Sequence, residues 1–324
     1  MRKALLIGIN KYDSNDSICN LNGCANDAQQ MGSVLSRHAD GRPNFSSQVF
    51  VNPEANLSKS FIFKKIKELF QGDLDVALFY FAGHGFFDED INTGFIIPQD
   101  FSPEENNGIR VEDILEIARK NKRINNTIII LDCCQSGGAG KSSVLRGGSS
   151  ILDEGLTILT ACKEREYAVE NGSGHGLFTG LMLEALHGGA GNILGKITPS
   201  SVYAFVDNAL DAWEQRPVFK TNVSQFLSLR DTAPRVPLEI LRNLPRWFPA
   251  SGSIYKLNPS YEPTSEEANE SNTEIFRQLQ ICNRHSLIEP VDAEHMYFAA
   301  MKSTGCRLTV MGEYYRVLAQ KGRF

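Results

Sequence analysis

Two short segments carry side chains that could act together in nucleophilic catalysis. His84 lies between two glycines directly after an apolar segment, and Asp132, Cys133 and Cys134 follow another. An imidazole near a thiol can accept its proton and leave a thiolate, which is a strong nucleophile. The glycines beside His84 are expected to let the backbone turn sharply and to leave N–H groups free to approach a substrate oxygen. The two segments therefore predict a cysteine nucleophile site, provided that the fold brings them together.

Alternating apolar and helix-period segments predict the elements that hold these residues. Four short apolar segments are read as buried strands, at residues 4–9, 76–82, 127–131 and 156–160. Helices are predicted at residues 25–37, 58–70, 111–120, 177–186 and 200–213. This alternation favours an α/β fold with a mostly parallel sheet covered by helices on both faces. Functional groups in such folds collect at the carboxyl ends of the strands, where both segments lie.

Composition and charge indicate which partners and which cellular compartment are expected for this protein. The 324 residues are 42% hydrophobic and carry a formal net charge of −5, so bulk charge does not favour nucleic acid as a partner. No segment approaches the roughly 20 apolar residues that span a bilayer. The seven cysteines are scattered and include a vicinal pair but no pair spaced for zinc, which favours a reducing, cytoplasmic compartment.

Two changes in composition suggest the domain organisation. Residues 137–154 are rich in glycine and serine and predict a flexible loop. Four prolines crowd residues 231–249, where we expect them to interrupt any regular element and to mark a domain boundary. The chain is therefore divided into residues 1–230 and 231–324. Helix-like segments near residues 274–283, 293–301 and 313–320 predict a small α-rich C-terminal domain.

Four motifs, in order along the chain, resemble those of one protein family. They are Gly8-Ile9-Asn10 with Tyr12, the segment at residues 21–28, Phe81-Ala82-Gly83-His84-Gly85, and Asp132-Cys133-Cys134-Gln135-Ser136-Gly137. The sequence is similar to the caspase and metacaspase group of cysteine proteases, most closely to its bacterial metacaspase-like, or orthocaspase, branch. His175-Gly176-Leu177-Phe178-Thr179 resembles a later part of the same domain. The resemblance covers about residues 1–230 and implies a caspase-like α/β/α sandwich with a mostly parallel six-stranded sheet.

The resemblance implies roles for individual residues. Cys134 occupies the nucleophile position of the family pattern Asp-x-Cys-x-x-Gly, and His84 matches the general base. The backbone N–H groups of Gly85 and Cys134 would form the oxyanion hole. Cys133 is then a small interior residue at the strand end. Gln135 departs from the histidine common in metacaspases, and no third member of a triad is evident in the sequence.

Two acidic residues match the first substrate pocket of metacaspases. Asp27 and Asp132 would select arginine or lysine before the cut, because paired carboxylates offer directional acceptors to a cation. Asp27 could instead be an ordinary polar residue at the start of a helix. The expected substrates are therefore polypeptides cleaved after a basic residue.

The sequence allows more than one interpretation of self-cleavage and of metal binding. Lys141 and Arg146 lie in the predicted flexible loop just after Cys134, where the protease could cut itself or the loop could remain an uncut linker. Calcium activates many metacaspases, but the acidic residues 88–90 are more typical of a solvated turn. No metal or other cofactor is assigned.

The presence of a separate C-terminal domain predicts that the activity of the first domain is regulated. By analogy with bacterial caspase-like proteins, we expect residues 231–324 to sense a small nucleotide-derived signal or a partner protein and to activate a latent protease, in antiviral defence or regulated cell death. A catalytically inactive caspase-fold binding protein is the main alternative. A nucleotide-binding α/β domain is excluded because the first strand lacks a glycine-rich phosphate-binding pattern.

Overall fold

A computed structural model divides the chain into two units. The first unit comprises residues 1–191 and 196–232, and the second comprises residues 192–195 and 233–324. The structure describes residues 1–13, 18–88, 90–91, 93–136, 153–161, 170–171, 174–210, 217–224 and 227–324.

The first unit alternates strands and helices. Its strands are β1 (Arg2–Gly8), β2 (Ser46–Val51), β3 (Leu74–Asp88), β4 (Thr93–Ile96), β5 (Ile109–Arg110), β6 (Ile124–Ser136), β7 (Leu156–Thr160), β8 (Glu170–Asn171), β9 (His175–Gly176), β10 (Lys196–Ile197), β11 (Val218–Asn222) and β12 (Arg230–Asp231). Its helices are α1 (Cys24–Ser36), α2 (Lys59–Leu69), α3 (Val111–Lys120), α4 (Leu177–Glu184), which continues into a π-helical turn, and α5 (Pro199–Ala209).

A mostly parallel sheet forms the centre of this unit. Its strand order is β11-β7-β6-β3-β1-β2, and only β11 runs antiparallel to its neighbour along this path. The short strand β4 pairs with the far end of β3, and β5 pairs with β4. The mostly parallel α/β sheet predicted from the sequence is confirmed, and β4 and β5 extend it beyond the six strands expected.

Both faces of the sheet are buried because its strands are apolar at consecutive positions. Leu5 and Phe79 pack on one face with α2 and α3, whereas Leu6 and Leu78 pack on the other with α1, α4 and α5. The central strands β1, β3, β6 and β7 therefore each contribute to two hydrophobic cores, as expected for a sheet between two helical layers. The strand ends are left as the places where polar groups can meet.

Helix boundaries in the first unit follow local capping signals. The Ser58 hydroxyl accepts a hydrogen bond from the Phe61 N–H at the start of α2. Thr198 and Ser201 form a capping box at the start of α5. The predicted helix at residues 200–213 is too long, because α5 ends at Ala209 and Leu210 is already extended.

The second unit has its own core and a small sheet that the sequence did not predict. Its elements are α6 (Leu238–Trp247), β13 (Ile254–Tyr255), a 3₁₀ turn (Pro259–Tyr261), α7 (Glu270–Arg284), β14 (Ile288–Pro290), α8 (Met296–Met301), β15 (Cys306–Leu308) and α9 (Val310–Gln320). The strands form an antiparallel sheet in the order β13-β15-β14. Phe248 and Phe276 are fully buried in the core of this unit.

The expectation that prolines interrupt residues 231–249 is wrong, because α6 forms within this segment. Pro237 is the N-cap residue, where the missing N–H costs nothing. Pro245 lies in the last turn, and one face of the helix buries Ile240, Leu241 and Leu244. Burial of this apolar face outweighs the one hydrogen bond that Pro245 removes.

Among the residues that the structure describes, every helix is too short or too polar to cross a bilayer.

Candidate active site

The backbone register of two central strands brings His84 and Cys134 together. His84 in β3 is the direct pairing partner of Cys134 in β6, and the two strands run parallel. Neighbouring strands in a sheet are roughly 4.8 Å apart. Both residues lie near the carboxyl ends of their strands, so the predicted base and nucleophile are neighbours at the edge where α/β folds place their chemistry.

The glycines around His84 do not turn the chain as expected. β3 continues through both of them to Asp88, and neither has a positive φ angle. Gly83 instead provides space, because a Cβ there would lie 2.8 Å from the Tyr12 hydroxyl oxygen. That hydroxyl accepts a hydrogen bond from the His84 backbone N–H over 2.8 Å, and the two rings are 5.0 Å apart. Tyr12 therefore fixes the backbone that carries the imidazole.

A backbone carbonyl completes the surroundings of His84. The Cys19 carbonyl oxygen lies 2.7 Å from His84 Nε2, and the Cys19 Sγ lies 3.8 Å from the same nitrogen. Since a carbonyl can only accept, Nε2 carries the proton and Nδ1 is left as an acceptor. Burial lowers the pKa of His84 below its ordinary value, and the hydrogen bond to Cys19 acts in the opposite direction. The neutral imidazole that a general base requires is thereby favoured.

Gly85 and Cys133 pack closely beside this pair. Cys133 is buried in the core beneath the site. A Cβ at Gly85 would lie 3.0 Å from the Cys133 sulfur and 3.0 Å from the Phe95 carbonyl oxygen, so a side chain there would displace its neighbours. Gly85 pairs with Gln135, one position beyond Cys134. The two residues expected to form the oxyanion hole thus lie on adjacent strands, one register position apart.

Asp27 and Asp132 approach each other next to Gly176. Asp27 lies in the first turn of α1 and is buried, whereas Asp132 is half-buried on β6. A Cβ at Gly176 would lie 3.4 Å from the Oδ2 atom of each carboxylate. Burial and, secondarily, the charge of Asp132 raise the pKa of Asp27 to about 6, although hydrogen bonds from His175 and Gly176 oppose this. The two carboxylates form an acidic pair that a cation would stabilise.

The buried hydroxyl groups of Thr179 and Tyr80 form a hydrogen-bonded series that ends at Asp132. The Thr179 hydroxyl donates to Asp132 Oδ2 over 2.6 Å. Its oxygen lies 2.6 Å from the Tyr80 hydroxyl, which must therefore be the donor of that second hydrogen bond. Burial raises the pKa of Tyr80 well above its ordinary value and keeps this phenol protonated.

Sequence reasoning did not identify several of these supporting groups. Thr179 is the last residue of a motif that resembles the family, but its hydrogen bond to Asp132 had no sequence signal. Tyr80 reads as a strand residue. The Cys19 carbonyl is a backbone group, which no pattern of residue types can reveal. The predicted cleavage positions, Lys141 and Arg146, lie outside the described residues.

Comparisons with known proteins agree with this fold. The family model described as caspase domain matches residues 1–227. A crystal structure of protein GSU0716 from Geobacter sulfurreducens is similar, with a TM-score of 0.52 and 15% identity over 72% of this chain and 97% of that one. Caspase-1 from Spodoptera frugiperda gives a TM-score of 0.50 and 14% identity over 71% of this chain and 90% of that one. No curated protein sequence matches the chain.

The fold defines the chain as an α/β protein with a histidine and a cysteine at the ends of two adjacent parallel strands. The chain is a member of the caspase-domain family, whose members are cysteine peptidases. The two solved structures, being of low identity, show the fold alone.

Proposed function

We propose that the chain is a cysteine endopeptidase with Cys134 as nucleophile and His84 as general base. The observation that carries the proposal is the direct pairing of His84 with Cys134 across β3 and β6. The Cys19 carbonyl gives additional support, because it orients the imidazole and leaves Nδ1 able to accept a proton. A binding protein without catalysis is not favoured, since it would have no need for a neutral, oriented imidazole beside a cysteine.

The proposed reaction proceeds through a thioester. The Cys134 thiol gives its proton to His84, and its sulfur attacks the carbonyl carbon of the substrate. The carbonyl oxygen becomes negative and is stabilised by the N–H groups of Gly85 and Cys134. The C–N bond then breaks, and the imidazolium gives its proton to the leaving amine. A water molecule, deprotonated by His84, hydrolyses the thioester and releases the thiolate.

We assign Asp27 and Asp132 to recognition of arginine or lysine before the cut. Their Oδ2 atoms face one position beside Gly176, which suits a guanidinium that donates two hydrogen bonds. Thr179 orients Asp132, whereas His175 and Gly176 orient Asp27. An acidic substrate residue would be repelled at this position.

The second unit is proposed to regulate this activity. Support comes from its separate core and its own three-stranded sheet, which distinguish it from the peptidase sheet. We propose a nucleotide-derived signal or a partner protein as its ligand, with a role in bacterial defence or regulated cell death as in metacaspase-like proteins. Thermal-shift screening with cyclic nucleotides and ADP-ribose derivatives tests the nucleotide version, and no shift with any of them would leave the partner protein.

The peptidase proposal is tested on the full chain with fluorogenic peptides. Peptides that end in arginine, lysine, citrulline or aspartate before the reporter are incubated with the protein, with and without the nucleotide panel. We expect cleavage after arginine and lysine, its loss in Cys134→Ala, and its retention in the matched control Cys133→Ala. Equal rates in Cys134→Ala and the wild type would contradict the assignment. So would the absence of both cleavage and a Cys134 adduct with an arginine chloromethyl ketone peptide.

Self-cleavage after Lys141 or Arg146 is part of the same proposal. Intact mass spectrometry of the wild type and of Cys134→Ala decides it. Fragments that end at residue 141 or 146 in the wild type alone are expected, and a single uncut species in both would overturn it.

A further inference from the structure

One dipeptide holds both oxygens of the buried carboxylate in the acidic pair. His175 Nδ1 lies 2.7 Å from Asp27 Oδ1, and the Gly176 backbone N–H donates to Asp27 Oδ2 over 3.2 Å. The Asp27 side chain is 3% exposed and the His175 side chain 19% exposed, so solvent weakens this contact little. β9, which is only two residues long, thus sets the orientation of Asp27.

The Asp27 carboxylate indicates which nitrogen of His175 donates to it. An ionised carboxylate can only accept, so His175 Nδ1, which lies 2.7 Å from Asp27 Oδ1, carries the hydrogen of this bond. The Asn26 side-chain nitrogen donates to the Gly174 carbonyl over 3.0 Å and lies 3.3 Å from Nδ1 and 3.2 Å from Nε2, so it contacts the imidazole without distinguishing its two nitrogens. His175 therefore stabilises the charged form of Asp27 through this hydrogen bond.

Several groups face Asp27 from the elements around it. Asp132 on β6 opposes its ionisation, while His175 and the Gly176 N–H on β9 favour it. Tyr80 on β3, protonated, contacts Asp132 through Thr179 on α4. Without His175, burial and the charge of Asp132 would raise the pKa of Asp27 further. Its carboxyl group would then stay protonated to a higher pH.

We propose that His175 is a positioning residue for substrate specificity: it holds Asp27 ionised and oriented beside Asp132, so that the acidic pair binds a basic side chain at neutral pH. This inference rests on the proposed assignment of the pair to arginine and lysine recognition. His175 does not touch the reacting atoms, and its removal should change substrate binding rather than the chemical step. Its loss should matter at and below about pH 6, where Asp27 is only partly ionised, and little at pH 8.5.

Binding of acetyl-arginine amide to the full chain, measured by calorimetry between pH 5 and pH 8.5, tests the role of His175. The neutral acetyl-citrulline amide serves as the reference ligand. The variants are His175→Ala, which removes the donor, and His175→Asn, whose amide can replace the Nδ1–H group. His187→Gln is the matched control, because His187 is exposed on the turn after α4.

We expect arginine-amide binding by the wild type to strengthen as pH rises through about 6. In His175→Ala the midpoint should move up by about one pH unit, since one hydrogen bond to a charged group is lost, with about fivefold weaker binding at pH 6 and close to tenfold weaker binding at pH 5. His175→Asn should restore most of the shift, and His187→Gln should match the wild type. In peptide cleavage the change should appear in KM, with kcat retained.

Two results separate failure of this inference from failure of the proposed specificity. If the wild type prefers arginine amide to citrulline amide, but His175→Ala has the same pH midpoint, the role of His175 is overturned and arginine recognition stands. If the wild type shows no such preference at any pH, the acidic pair does not recognise basic residues, and both proposals are overturned.

Discussion

The substitution Gly176→Ala tests the acidic pair with little disturbance of the fold. Gly176 has φ −65° and ψ 142°, which alanine adopts without strain. The added methyl would lie 3.4 Å from Oδ2 of both Asp27 and Asp132, an ordinary contact distance. A guanidinium nitrogen must come within about 2.7–2.9 Å of a carboxylate oxygen, so the methyl occupies the space that a basic side chain needs.

The expected loss follows from the hydrogen bonds that are blocked. A hydrogen bond to a charged group contributes about 1.5–3 kcal/mol, so losing one should lower kcat/KM for arginine peptides about 10- to 150-fold. Cleavage of citrulline peptides should change much less, because they make no ion pair. The measurement is the arginine-to-citrulline ratio of kcat/KM at pH 7.5, together with the melting temperature.

Gly23→Ala is the matched control for this experiment. Gly23 also precedes a helix with a negative φ angle. Its added Cβ would lie 3.4 Å from the Gly174 carbonyl oxygen, 3.5 Å from the Gly176 nitrogen and 3.6 Å from the His175 carbonyl carbon, so it crowds the same backbone segment without placing a methyl against a carboxylate. Both variants should lose similar, small amounts of stability, about 1 kcal/mol or less. If Gly176→Ala keeps the wild-type arginine-to-citrulline ratio to within twofold, the space beside Asp27 and Asp132 is not the specificity pocket.

Three further predictions concern the groups around the site. Tyr12→Phe removes the acceptor of the His84 N–H and should lower kcat about tenfold with KM little changed; equal kcat would show that this hydrogen bond does not position the imidazole. Thr179→Val leaves Asp132 without its hydroxyl donor and should raise KM for arginine peptides, which steady-state kinetics against citrulline peptides would show or refute. The pKa of Asp27 is raised to about 6, so its carboxylate is lost as pH falls through that value: KM for arginine peptides should rise below pH 6 while KM for citrulline peptides stays flat, and parallel profiles would contradict this.

The sheet was largely predictable because its central strands are buried on both faces. Such strands read as short, continuous apolar segments, and β1, β3, β6 and β7 all do. β2 was missed because it is an edge strand. Its residues are exposed or half-buried except for Val51, and it begins Ser-Ser-Gln. α6 was missed because its prolines outweighed the apolar spacing of its buried face. The sequence pattern therefore predicts an element best where the burial of apolar residues determines the structure. It predicts an element less well where prolines are taken to mark its end.

The site could be predicted only in part. The residue types of His84 and Cys134 are visible in the sequence, but their pairing depends on the register of two strands that are fifty residues apart. The Cys19 carbonyl depends on the path of a loop, and the hydrogen bond from Thr179 to Asp132 on how α4 packs on the sheet. These contacts are tertiary, so no local spacing encodes them.

The most direct test of the central claim is the rate at which iodoacetamide modifies Cys134 as a function of pH, followed by peptide mass spectrometry. If His84 accepts the Cys134 proton, the wild type should react at lower pH than His84→Ala, in which the thiol should titrate near the ordinary cysteine value of about 8.5. His187→Gln serves as the control and should behave as the wild type. Superimposable profiles for the wild type and His84→Ala would show that the two side chains do not act together, and would contradict the account.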